Sequence, residues 1–105
     1  MGAGPQIDSA HIQTIRQGMR ATVTQGSARS LQVLPVTMAG KTGTAQWSST
    51  KPTHAWFTGF APFENPEIAI TILVEEGGEG SAMAVPIAKE IVAWWAEHED
   101  INSAP

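Results

Sequence analysis

The sequence predicts an α+β fold, a three-stranded antiparallel sheet with an N-terminal and a C-terminal helix packed on one face. Three observations predict it. Apolar residues recur at helical spacing near both ends, as Ile12, Ile15, Met19 and Val23 and again as Ala84, Ala88, Ile91 and Trp95. Between them lie three strand-like runs, 38–47, 54–63 and 68–75. The last of these (Ile-Ala-Ile-Thr-Ile-Leu-Val-Glu) is rich in β-branched side chains, which suit a pleated, half-buried surface. The connectors at 48–53 and 64–67 are short, which favours antiparallel neighbours.

The elements follow in order. Residues 1–6 form a flexible lead-in. Asp8 or Ser9 can accept hydrogen bonds from the free N–H groups of a first helical turn, so a helix is predicted over 8–24. Arg16, Gln17 and Arg20 lie off its apolar stripe, and Gly26 is placed to stop it. Residues 27–37 read as a loop anchored by Leu31, Val33 and Leu34, where Pro35 argues against a central strand. Pro52 marks 48–53 as a turn, and Glu64-Asn65-Pro66-Glu67 is a strong turn signal. Gly77-Gly78-Glu79-Gly80 reads as a flexible loop. The last helix is predicted over 81–99, with Pro86 in its first turn, where N–H groups have no intrahelical partner. Ile87 and Trp94 widen its stripe, and 100–105 form a tail. Packing should bury Ile70, Ile72 and Val74, or their neighbours on the opposite face, together with Ile91 and Trp95.

Length and composition bound the rest. A chain of 105 residues makes one small domain, which buries about two-thirds of the surface that its unfolded form exposes. An apolar fraction of 42% against 15% charged residues reads as globular. A net charge of −4 with no cluster of Lys or Arg excludes a nucleic-acid surface. The absence of cysteine excludes disulfides, thiolate metal sites and cysteine catalysis. The apolar runs fall far short of the ~20 residues of a membrane span. The start Met1-Gly2-Ala3-Gly4-Pro5 lacks the basic and apolar regions of a signal peptide, and an anchor in a longer parent would not show here.

The chemistry concentrates in Gly40-Lys41-Thr42-Gly43-Thr44-Ala45-Gln46, which puts a cation, two hydroxyls and two glycines on one extended segment. Lysine and threonine can hold a carboxylate through charge-assisted hydrogen bonds. Glycine removes the side chain where a ligand must touch backbone. Lys-Thr-Gly is a signature element of penicillin-binding proteins and serine β-lactamases, beside Ser-x-x-Lys and a second serine element.

Three runs in fixed order carry a more specific likeness: Lys41-Thr42-Gly43-Thr44-Ala45, Trp56-Phe57-Thr58-Gly59-Phe60-Ala61-Pro62, and the strand that opens Ile68-Ala69-Ile70. Together they resemble the C-terminal part of the transpeptidase domain of class B penicillin-binding proteins, of the penicillin-binding protein 2 type. The likeness runs from about Ile7 to Trp95 and includes Gly18-Met19-Arg20-Ala21-Thr22-Val23 and Gly26-Ser27-Ala28. The family more often has Thr where Ser27 stands. The resemblance implies a D,D-transpeptidase that cross-links peptidoglycan by acyl transfer from a D-Ala-D-Ala stem peptide through a serine ester. Lys41 would supply positive charge near the nucleophile. Thr42 and Thr44 would hold the carboxylate of substrate or β-lactam, and Gly43 would let the peptide approach. The Thr44 backbone N–H would be an oxyanion donor, a group worth about 3–4 kcal/mol of barrier. The stem peptide would lie along the strand edge. The parent would be anchored in the bacterial cytoplasmic membrane with this domain outside, in the periplasm or at the cell surface. No cofactor and no metal are implied.

The nucleophile is the gap. No Ser-x-Asn occurs, and the one formal Ser-x-x-Lys, Ser48-Ser49-Thr50-Lys51, follows Lys-Thr-Gly instead of preceding it. The chemistry needs serine and lysine one helical turn apart, and Pro52 turns Lys51 away from helical geometry. Residues 48–51 therefore read as a hairpin loop, and this chain alone as inactive. His54 reads as a hydrogen-bonded strand end, Glu75, Glu76 and Glu79 as an exposed loop, and Glu97, His98 and Asp100 as a solvated helix end. Trp94 and Trp95 read as core. Two alternatives stand beside the transpeptidase: a fragment of a serine β-lactamase, and a non-catalytic module recognising a carboxylate-bearing peptide or protein partner. Unpaired strand edges would favour the rest of a transpeptidase domain as neighbour, or a homo-oligomer of this chain.

Overall fold

The computed structural model describes residues 8–103, with side chains placed through residue 98. The lead-in at 1–6 lies outside the described residues. Helix α1 (Ser9–Thr24) is followed by a short 3₁₀ turn (Arg29–Val33), strands β1 (Ala39–Ala45), β2 (His54–Ala61) and β3 (Ile68–Val74), and helix α2 (Gly80–Ser103). The sheet has the order β1-β2-β3 and both pairings are antiparallel. The predicted α+β architecture stands. One core holds it: Val23 of α1, Leu31 of the 3₁₀ turn, Met38, Phe57 and Ala61 of the sheet region, and Ala84, Val85, Ala88 and Val92 of α2 form a single buried cluster. Both helices contribute to this one core.

The sheet is built around a glycine pair. Gly40 and Gly59 stand opposite each other, and Phe57 lies two residues from Gly59 on the same buried face. A Cβ at Gly40 would sit 2.3 Å from the tip of the Phe57 ring, and one at Gly59 would sit 2.8 Å from it. The ring thus covers two positions that carry no side chain. Glycine weakens a strand by its entropy, and diagonal cover by an aromatic ring offsets that weakness. On β3, Ile68, Ile70, Ile72 and Val74 alternate toward the core, as the sequence pattern requires.

Helix α1 starts where expected. The Asp8 carboxylate accepts from the Ala10 N–H at 2.8 Å. Its docking face differs from the predicted stripe. Ile15 is 59% exposed and Ile12 is exposed as well, whereas Val23 is buried. The arginines hold the helix to the sheet. Arg16 donates to the Phe63 carbonyl at 2.6 Å and lies over the rings of Phe60 and Phe63. Arg20 donates to the Met38 carbonyl at 2.6 Å. A guanidinium on a long apolar stem can dock on strand ends while its helix turns aliphatic residues outward. Nearby, the Thr37 hydroxyl donates to Glu64 at 2.6 Å and holds that exposed carboxyl below its ordinary pKa.

Helix α2 is also rotated from its predicted face. Ala84, Val85, Ala88 and Val92 are buried and Trp95 packs against them. Ile91 is exposed, contrary to the expected burial with Trp95, and Ile87 and Trp94 point outward with Met83. Counted from Gly80, Pro86 lies in the second turn, not the first, so the Ala82 carbonyl has no i+4 donor. The backbone is helical to Ser103, beyond the predicted end at Glu99. Gly77-Gly78-Glu79-Gly80 is fixed by contacts: Gly78 exchanges hydrogen bonds with Thr53, and Gly80 is buried as the first residue of α2.

The Phe57 cover is checkable. Phe57→Ala should lower stability by about 3–5 kcal/mol, whereas Trp94→Ala should change it by about 0.5 kcal/mol or less. Urea denaturation of the two variants measures both.

Candidate functional site

Strand β1 is an edge strand, so alternate backbone groups along it face away from β2. The register places Thr42 opposite Phe57 and Thr44 opposite Ala55, on the helix side of the sheet. Lys41 stands opposite Thr58 and Gly43 opposite Trp56, on the other side. The motif thus presents its hydroxyls and its cation from opposite faces of one strand.

Burial then separates the four residues. Lys41 is exposed, and its ammonium folds back to donate to the Thr42 carbonyl at 2.9 Å. Thr44 is exposed. Thr42 is only 8% exposed, and its hydroxyl meets the Ser27 hydroxyl at 2.6 Å. Gly43 has a packing reason to be glycine. A Cβ there would lie 2.3–2.7 Å from three atoms of the Trp56 indole, which crosses the strand at that point. Behind the same residue, a Cβ at Gly80 would lie 2.6 Å from both the Gly43 and Trp56 carbonyl oxygens. The start of α2 therefore presses directly on the strand pair. Gly43 is held between an indole and a helix end.

The loop beyond β1 is tied down separately. Trp47 stacks on His54 at 5.1 Å, and the Lys51 ammonium lies 5.2 Å from the Trp47 ring centre. The His54 Nδ1 accepts the Glu76 N–H at 2.9 Å, which ties the 46–53 loop to the turn after β3. Ser48 hydrogen-bonds Thr50, and residues 48–51 are not helical, so Ser48 and Lys51 are not arranged as a nucleophile and its base. At the far end His98 stacks on Trp94 and pairs with the Trp94 carbonyl. Asp100 carries no described side chain, and no cluster of metal-ligating side chains occurs among the described residues. No described helix is long and apolar enough to cross a membrane.

Residues 3–93 match the family described as the penicillin binding protein transpeptidase domain. The chain belongs to this family. It is 32% identical over 97 residues to the peptidoglycan D,D-transpeptidase PbpA of Mycolicibacterium smegmatis, covering 85% of this chain and 19% of that protein. The fold superimposes on the crystal structure of Pseudomonas aeruginosa PBP2 in complex with WCK 5153 with a TM-score of 0.75 and 38% identity, covering 87% of this chain and 21% of that one. It also superimposes on the ceftriaxone acyl-enzyme complex of penicillin-binding protein A from M. tuberculosis, with a TM-score of 0.63 and 31% identity, over 74% of this chain and 19% of that one. The chain spans about a fifth of each of these proteins.

Three contacts with the motif escaped the sequence reading: the Ser27 hydroxyl on Thr42, Trp56 as the cover of Gly43, and Gly80 behind it. A hydroxyl next to a glycine after a helix carries little signal by itself. Gly80 lies in a glycine-rich run that gives no hint which glycine is buried. The role of Trp56 follows only from the β1–β2 register.

The Trp56–Gly43 contact predicts a specific epistasis. Gly43→Ala should cost about 1–3 kcal/mol by overpacking. In a Trp56→Leu background the same substitution should cost little. Urea midpoints of the two single variants and the double variant measure the difference.

Proposed function

We propose that this chain forms the Lys-Thr-Gly wall of the acyl-transfer site of a peptidoglycan D,D-transpeptidase, with the nucleophilic serine and its lysine supplied by other parts of the same transpeptidase domain. The observation that carries the reading is the strand itself. An exposed lysine and an exposed threonine stand on a free sheet edge whose backbone is braced on both faces. Preorganised donors of this kind stabilise developing charge without reorganising during the reaction.

In the reaction, a serine hydroxyl attacks the carbonyl of the D-Ala-D-Ala bond and loses its proton to a base. The tetrahedral oxyanion collapses, the terminal D-Ala leaves as the amine, and a serine ester remains. The amine of a second stem peptide attacks this ester, forms the cross-link and releases the serine. Lys41 contributes positive charge beside the nucleophile. Thr42 and Thr44 hold the terminal carboxylate by hydrogen bonds, and the Thr44 N–H donates to the oxyanion. The stem peptide lies along the outer edge of β1 and takes up its unpaired backbone groups. A β-lactam mimics the same acyl donor but its ester is retained. A serine β-lactamase would instead release that ester to water. On this reading the parent works at the outer side of the cytoplasmic membrane, where peptidoglycan lies. The competing reading, a non-catalytic module that recognises a carboxylate-bearing peptide, uses the same strand without an ester.

The test is intact-mass measurement after incubation with benzylpenicillin. The full-length parent should gain one penicilloyl adduct per chain, and residues 1–105 alone should gain none. An adduct on Ser48 or Ser49 of the isolated chain would contradict this assignment. A parent that binds stem peptide without ever forming an adduct would favour the non-catalytic module.

Among the described residues, the chain also has two strand edges without a partner strand and outward apolar residues on both helices. We propose that it self-associates through them. Sedimentation equilibrium over a wide concentration range should show a dimer or larger species, and a strictly monomeric chain would overturn this.

A further inference from the structure

Thr42 is the polar residue among the buried positions of the described chain. Its hydroxyl lies 2.6 Å from that of Ser27, which is itself exposed. The position of Ser27 is fixed from both sides. The N–H of Gly26 donates to the Thr22 carbonyl at 3.2 Å, and that of Ala28 donates to the same oxygen at 3.1 Å. Ala28 is fully buried, and a Cβ at Gly26 would come within 3.0 Å of the Thr22 backbone. The turn after α1 therefore fixes the backbone that carries this hydroxyl beside the central residue of the motif.

Two hydroxyls at this distance share one proton, and the other proton must point elsewhere. When Ser27 donates to the Thr42 oxygen, the Thr42 proton is turned out of the pair and becomes available to an acceptor. We propose that Ser27 is a positioning residue for ligand recognition, setting the Thr42 hydroxyl as a donor to the carboxylate of the stem peptide or β-lactam. This rests on the reading that 41–44 line the acyl-transfer site. Ser27 need not touch the reacting atoms. Its effect is selectivity for ligands that present an anionic acceptor, because a neutral ester accepts a hydrogen bond more weakly than a carboxylate.

The experiment uses the full-length transpeptidase and two probes, benzylpenicillin and its methyl ester. The readout is the ratio of their second-order acylation rates. Ser27→Ala should lower the preference for benzylpenicillin by about 3–10-fold, the scale of one neutral hydrogen bond. Ser27→Thr should restore it, and Ser27→Cys, a weaker donor of similar shape, should fall between. Ser27→Ala should add no further loss of preference in a Thr42→Val background, because the pair acts as one unit. Equal slowing of both probes, failure of Thr to restore the ratio, or full additivity with Thr42→Val would overturn the proposal and leave Ser27 a packing residue. A wild-type parent that forms the adduct but shows no preference for the free carboxylate would overturn the Thr42 carboxylate role as well. One that forms no adduct with either probe would overturn the site reading with it.

Discussion

The Phe57 ring lying across the Gly40–Gly59 pair is the contact on which the arrangement depends. Two glycines facing each other would leave a weak point in the sheet. The ring fills that point from the core side, where the backbone ladder holds β1 and β2 together. In that ladder Thr42 meets Phe57, and Gly43 meets Trp56. The second aromatic, on the opposite face, covers Gly43. The segment 41–44, which we propose lines the acyl-transfer site, is therefore backed by aromatic side chains of β2. An edge strand alone would be free to slip or twist, and a site built on it would be loose.

The helices complete the support in different ways. The first residue of α2 touches the carbonyls of Gly43 and Trp56, so any residue larger than glycine would push the helix from the sheet. Helix α1 is held by guanidinium groups on the Phe63 and Met38 carbonyls, and it delivers Ser27 to Thr42 at its end. Both helices leave apolar residues outside. Met83, Ile87, Ile91 and Trp94 form one outward flank of α2, with a hollow of about 230 Å³ lined by Glu90, Ile91 and Trp94. Ile12 and Ile15 stand out from α1. A chain that spans about a fifth of the transpeptidases it matches is expected to expose surface of this kind.

What the sequence disclosed follows from which forces are local. The strands were legible because 68–74 alternates β-branched residues toward one face and because Pro52 and Pro66 punctuate the connectors. The start of α1 was legible because Asp8 caps it through a contact two residues away. The motif was legible because lysine, threonine and glycine in that order are rare in combination with the two following runs. The helix faces were not. Periodicity finds an apolar stripe, but it cannot tell that Arg16 and Arg20 reach strand carbonyls or that Ile91 lies on a second, outward stripe. The pairing of Ser27 with Thr42 spans fifteen residues and depends on the turn geometry after α1. Such contacts are products of the tertiary fold and leave little trace in composition or spacing.

The central claim is that the strand carrying Lys41 to Thr44 faces the acyl group. A crystal structure of the full-length parent acylated by benzylpenicillin tests it most directly. The account predicts the ligand carboxylate within hydrogen-bond distance of the Thr42 and Thr44 hydroxyls, and the ester carbonyl oxygen on the Thr44 N–H. A penicilloyl group seated away from β1, with the Lys41–Thr44 edge free of ligand contacts, would contradict it.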